Sequence, residues 1–197
     1  MPFSAKSVSL ACVVCSLLMT GCVSGNYRAP AATDAQKSVV VDKNFDETWD
    51  DLLSYTAGSF FGIENFEKES GLLTLSFGAG DASPYIDCGT FSFQRGVNSY
   101  NGPYVDYVDM RGADLTGKMN LRVRPIANQK SEVTVNARYV FSVPPMIQAG
   151  VPSFSFVFDS GGSDTVTVPN PTPGTHPTRT CVPTGYAERE ILEAVKS

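Results

Sequence analysis

Few residues in this 197-residue chain could do chemistry. Thiols stand at Cys12, Cys15, Cys22, Cys88 and Cys181, and the one imidazole belongs to His176. Cys12 and Cys15 make a C-x-x-C, the spacing of redox and zinc motifs. Both lie inside the apolar run from Val8 to Met19, where they read as small hydrophobes. His176 sits in Pro-Thr-Pro-Gly-Thr-His-Pro. A catalytic imidazole needs a nucleophile and an orienting partner within reach, and a Pro-rich loop holds such geometry badly, so His176 reads as an exposed loop residue. No G-x-S-x-G, H-E-x-x-H or Walker loop is present, and Gly78-Ala79-Gly80 reads as a turn. Zinc takes four ligands, and only His176 could add an imidazole to the Cys88 and Cys181 thiols. The expectation is a protein that is not an enzyme and has no metal and no cofactor.

Two other constellations stand out. Asp42, Asp46, Glu47, Asp50 and Asp51 cluster around a helix start. That placement suits the positive end of a helix and a solvated face, and the cluster lacks EF-hand spacing. Tyr100, Tyr104 and Tyr107 stand beside Asn98, Asn101 and Asp106. Tyrosine with amide neighbours suits saccharide or protein contact, which makes the three tyrosines the candidate binding surface. The alternative is a set of aromatics packed at a sheet edge.

Composition narrows the partners. A hydrophobic fraction of 42% is ordinary, and a net charge of −5 is too small to accompany disorder. Phosphate contacts require clustered Lys and Arg, so no nucleic-acid partner is expected.

The N-terminus reads as an address. Lys6 precedes the 12-residue apolar run, and Thr20-Gly21-Cys22 follows. This is the layout of a secretory signal, too short for a permanent span of about 20 residues. Leu18-Met19-Thr20-Gly21-Cys22 resembles the lipobox of bacterial lipoproteins, with Met19 where Leu is usual. The resemblance implies cleavage before Cys22, lipidation of Cys22 and attachment to a membrane through the N-terminal lipid. Val23 replaces the Asp that retains many such proteins in the inner membrane, which implies the periplasmic face of the outer membrane. Removal of residues 1–21 leaves 176 residues with 14 basic and 20 acidic side chains, a net charge of −6. Cys88 and Cys181, 93 positions apart, then remain. In an oxidising periplasm they most simply form a disulfide, stabilising by about 2–4 kcal/mol. Two buried thiols or a metal site are the alternatives.

Residues 22–37 are small and polar and read as a flexible lipidated tether, with the periplasmic domain at 38–197. Asn44 and Glu47 approximate a capping box. Phe45, Trp49, Leu52, Leu53, Thr56 and Phe60 then form one helical face that ends near Gly62. Ile63–Glu67 and Leu72–Phe77 read as a hairpin. Gly89–Gln94 and Tyr104–Met110 read as strands flanking a turn-rich Asn98–Pro103. Leu115, Gly117, Met119, Leu121 and Val123 alternate with polar residues, as do Val133, Val135, Ala137, Tyr139, Phe141 and Val143. These predict a long antiparallel hairpin with one dry face. Ser153–Phe158 and Thr165–Val168 read as a further hairpin. A closing helix carries Ala187, Ile191, Leu192 and Val195 inward, with Thr184 as cap and Glu188 toward water. The expected fold class is α+β, a single antiparallel sheet with an N-terminal and a C-terminal helix on one face.

The stretches F-D-E-x-W-D, E-K-E-S-G-L-L-T-L-S-F, K-M-N-L-R-V, V-T-V-N-A-R-Y-V-F and C-V-P-T-G-Y-A-E-R-E-I-L resemble uncharacterised periplasmic lipoproteins of proteobacteria. The first helix and hairpin more distantly resemble the helix-grip domains of the C-type lipoprotein of the β-barrel assembly machinery. The resemblance implies a non-catalytic interaction module in the cell envelope with an envelope protein partner. The alternative is a small hydrophobic-ligand (lipid) binder, whose cavity would be lined by Trp49, Leu75, Tyr139 and Ile191.

Overall fold

The computed structural model describes residues 24–168 and 177–196. The expected signal segment, Cys12, Cys15, Cys22 and His176 lie outside the described residues. Along the chain run β1 (Ser24–Arg28), β2 (Ser38–Val41), α1 (Phe45–Ala57), β3 (Gly62–Glu67), β4 (Leu72–Ala79), β5 (Ile86–Asp87), β6 (Thr90–Arg95) and β7 (Asn98–Pro103). There follow α2 (Tyr104–Asp109), β8 (Asp114–Ala127), β9 (Lys130–Val143), β10 (Phe154–Asp159), β11 (Asp164–Thr167), β12 (Thr178–Pro183) and α3 (Tyr186–Ala194).

The hairpin β8–β9 is the spine, with Met119 opposite Ala137 and Leu121 opposite Val135. Its strict alternation buries Leu115, Met119, Leu121, Val133, Val135, Tyr139 and Phe141 on one face and leaves Lys118, Asn120, Arg122, Asn136 and Arg138 exposed on the other. β4 and β3 extend the sheet from β8. Two short strands share the far edge of β9: β2 along Ser131–Thr134 and β10 along Arg138–Val143. Between them the Val135 N–H donates to Lys37 O (2.8 Å) and the Ala137 N–H to Ser160 Oγ (2.7 Å). A serine hydroxyl thus completes the edge where neither strand reaches.

α1 and α3 cover the dry face. The capping box forms as expected: Asn44 Oδ1 accepts from the Glu47 N–H (3.0 Å), and Glu47 Oε2 accepts from the Asn44 N–H (3.1 Å). Trp49, Leu52 and Thr56 of α1 and Ala187, Ile191 and Leu192 of α3 are buried in one core. Trp49, Leu75, Tyr139 and Ile191, proposed above to line a cavity, are all packed in that core at 1% exposure or less.

Several expectations require correction. The fold is mostly β, 50% strand against 18% helix, in three sheets: β1-β6-β7, the six-stranded sheet, and β11-β12-β5. It is not an α+β single sheet with two flanking helices. The second and third sheets are completed by pairings of β6 with β1 and of β12 with β5, segments distant in sequence, which local periodicity does not report. α1 stops at Gly58, one turn before Gly62, and leaves Phe60 half exposed. Tyr104–Asp109 is helix, not strand; Tyr104/Tyr107, Val105/Val108 and Asp106/Asp109 repeat at three residues, a helical spacing. β10 pairs with β9 and β11 with β12, so these strands do not form a hairpin with each other. Glu188 is buried, not solvated. Part of the expected tether is folded onto the domain. β1 pairs with β6 from Ser24↔Gln94 to Arg28↔Thr90, and Ala35 is buried. The Tyr27 hydroxyl accepts from the Thr180 N–H at 2.8 Å. Gly89, at φ +75°, lets this segment lie close, since a Cβ there would stand 2.1 Å from Arg28 O.

Candidate functional site

Titratable groups converge inside the core, at Glu188. Its Oε2 accepts from the Tyr139 hydroxyl at 2.6 Å and its Oε1 from the Ser160 hydroxyl. Carboxylate, phenol and hydroxyl are the ingredients of acid–base chemistry. Here each is consumed by a structural task. Ser160 completes the β9 edge, Tyr139 stacks on Phe158 with ring centroids 5.5 Å apart, and Glu188 fixes the first turn of α3 to the sheet. Glu188 and Tyr139 are wholly buried and Ser160 is 7% exposed. Burial first, and then the Glu188 carboxylate, hold the Tyr139 phenol far above its usual range.

The open site lies on the small sheet. β6 places Phe91 and Phe93 on one face, two residues apart, and β7 sets Tyr100 opposite Phe93. Gly102, opposite Phe91, carries no side chain, and the Tyr100 hydroxyl lies where a Cβ would meet it at 2.9 Å. From there that hydroxyl donates to Pro103 O at 2.7 Å. α2 follows at once and turns Tyr104 and Tyr107 onto the same rings. Tyr107 lies 5.0 Å from Tyr100, 5.1 Å from Phe91 and 5.8 Å from Phe93.

An arginine caps each end of this stack. On the outside, the Arg111 guanidinium stands 3.7 Å over the Tyr107 ring, and its Nη1 donates to Tyr107 O. On the inside, Arg179 of β12 lies 4.4 Å from Tyr27, 4.9 Å from Phe91 and 5.2 Å from Tyr104. Burial lowers the Arg179 pKa and pushes the Tyr104 phenol up to about 12. Burial, then Asp106, also raises Tyr100. Cys88 and Cys181 form a disulfide that ties the β5–β6 junction to β12, the strand carrying Arg179. The inner arginine and the aromatic sheet are thereby fixed to one another.

Outward from Tyr107 the stack opens into a cleft whose walls include Tyr100, Met110, Arg111, Met146 and Ile147. The structure thus brings the three tyrosines together but gives them different roles. Tyr100 and Tyr107 border the open cleft, whereas Tyr104 is buried at 3% exposure and belongs to the interior, not to a contact surface. Phe93, Met110, Arg111 and Ile147 were missed. Arg111 follows Tyr107 by four residues, a legible pair only once the segment is read as helix.

Three lysines offset part of the five-residue acidic cluster. Lys43 pairs with Asp51 (2.8 Å), Lys68 with Asp46 (2.9 Å) and Lys130 with Asp42 (2.9 Å). Among the described residues no group of three or more His, Cys, Asp or Glu is placed to hold a metal, and no helix is long and apolar enough to cross a membrane. Compared with family models, with curated proteins and with solved structures, the chain matches none.

Proposed function

We propose that this chain is an outer-membrane lipoprotein, attached through lipidated Cys22 on the periplasmic side, whose domain is a non-catalytic interaction module. Its contact face is the cleft at Tyr100, Tyr107 and Arg111. The observation that carries the reading is the contrast in access. The converging titratable groups are sealed at Glu188, while the aromatic–arginine stack is open and lined by residues that bind by packing and cation–π contact. The lipid-binding alternative is not favoured, because Trp49, Leu75, Tyr139 and Ile191 fill the space it would need.

Fractionation and footprinting test the proposal together. The full chain should sediment with outer membranes, and Cys22→Ser should be released to the periplasm. Radical footprinting of intact envelopes should then protect Tyr100, Tyr107 and Met110 relative to the purified protein. A soluble wild-type chain, or equal modification in both settings, overturns the reading.

A further inference from the structure

The chain enters the described structure at Ser24, paired with Gln94 one residue from the end of β6. β6 and β7 turn back through Gly96 and Val97 immediately beyond. Cys22 precedes Ser24 by two residues, and two residues of chain reach about 7 Å at most. An anchor at Cys22 therefore brings the bilayer surface to the tip of this hairpin. The domain has no long tether on which to turn, because β1 is already part of the sheet.

That tip is built for a lipid interface. Val97 is 99% exposed, Met110 67% and Ile147 84%, the three most exposed large apolar side chains among the described residues. All three border the one cleft system that also holds Tyr100, Tyr107, Arg95 and Arg111. Among the described residues no carboxylate lines it, although the mature chain is acidic overall. Asp106 and Asp109 of α2 are turned away, onto the Ser83 hydroxyl (2.6 Å) and the Ala82 N–H (3.0 Å). Apolar tips, tyrosines at headgroup depth and arginines that reach phosphates are the chemistry of interfacial attachment.

Resting on the lipoprotein reading above, we infer that the occupant of this face is the bilayer that holds the Cys22 acyl chains. Val97, Met110 and Ile147 insert, while Arg95 and Arg111 meet lipid phosphates. The domain is thereby fixed in orientation, with the Ala127–Lys130 end of the β8–β9 hairpin pointing away. A fourteen-residue strand spans about 45 Å.

Two tryptophan reporters, introduced one at a time, test this in the full chain, purified and reconstituted in vesicles of phosphatidylethanolamine and phosphatidylglycerol with brominated acyl chains. Val97→Trp probes the tip. Ile126→Trp, at an exposed apolar residue beside the opposite turn, controls for the affinity of tryptophan itself for lipid. The signal of buried Trp49 is subtracted with the wild type. Quenching of the tip reporter by about half, with the control unquenched, is the expected result for a side chain at acyl depth. The mass of the Cys22 peptide is read in the same preparation. An acylated Cys22 with both reporters quenched equally, or neither quenched, overturns the membrane orientation alone and leaves the face to a protein partner. An unmodified Cys22 overturns the anchor and this inference together.

Discussion

Two clusters of aromatic and polar side chains differ in how they meet solvent. At Glu188, Tyr139 and Ser160 every polar atom has a defined job and no wall is open. At Tyr100, Tyr107 and Arg111 the rings stack as tightly, but the outer arginine and the neighbouring Met110 and Ile147 face outward. The first arrangement specifies the packing of α3 on the sheet, since a buried polar group costs free energy unless its partners are in place. The second tolerates exchange of neighbours, because cation–π and apolar contacts are less directional. Converging titratable groups therefore mark the part of this molecule least available for function.

The largest effects should come from the closed cluster and its surroundings. Glu188→Ala removes the acceptor for two buried hydroxyls and leaves a void, and should cost about 2–5 kcal/mol in urea unfolding. Arg111→Ala, exposed and stacked on one ring, should cost about 0.5–1 kcal/mol by the same measurement. Similar losses at both sites would erase the comparison. Next, reducing the Cys88–Cys181 bond should lower stability by about 2–4 kcal/mol. Because it ties β12 to the β5–β6 junction, hydrogen exchange should accelerate first in β1, β6 and β7.

Smaller effects follow from pH. Tyr55 and Tyr104 are each pushed up to about 12, Tyr55 by burial and Glu190 and Tyr104 by burial against the partly offsetting Arg179. Unfolded tyrosine ionises near 10. The unfolded chain therefore releases these protons first, and stability should fall as pH rises from about 10 toward 12. Tyr104→Phe should flatten that loss, as read by thermal unfolding across the alkaline range. The smallest effect is at Asp109, whose pKa burial raises while Ala82 partly opposes it. The folded state then holds its proton longer than the unfolded state. This group's contribution is fully present below the ordinary carboxylate range and lost as pH rises through the raised value. Asp109→Asn, which keeps an acceptor for the Ala82 N–H, should match wild type in acid and gain slightly at neutral pH.

The legible parts of the fold share one property, that the signal is local. Alternation in Leu115–Val123 and Val133–Val143 marks β8 and β9, Asn44 with Glu47 marks the helix cap, and Cys88 and Cys181 marked the disulfide once an oxidising compartment was assumed. Beyond α2 and β7, what escaped depends on distant partners. β1 is small and polar and is a strand only because β6 lies beside it, and β12 only because β11 and β5 do. Glu188 stands where a helix start favours a carboxylate anyway, so nothing local distinguishes a solvated acid from one clasped by Tyr139 and Ser160. In the candidate site the tyrosines were visible as types. The burial of Tyr104 and the addition of Arg111 followed from α2 being a helix.

We propose that this protein makes its contacts through the Tyr100–Tyr107–Arg111 face. Photo-crosslinking amino acids placed singly at Tyr100 and at Asn136, on the exposed face of the large sheet, test it in intact envelopes. Discrete adducts, lipid or protein, are expected from position 100 and few from position 136. Adducts from position 136 alone would contradict it.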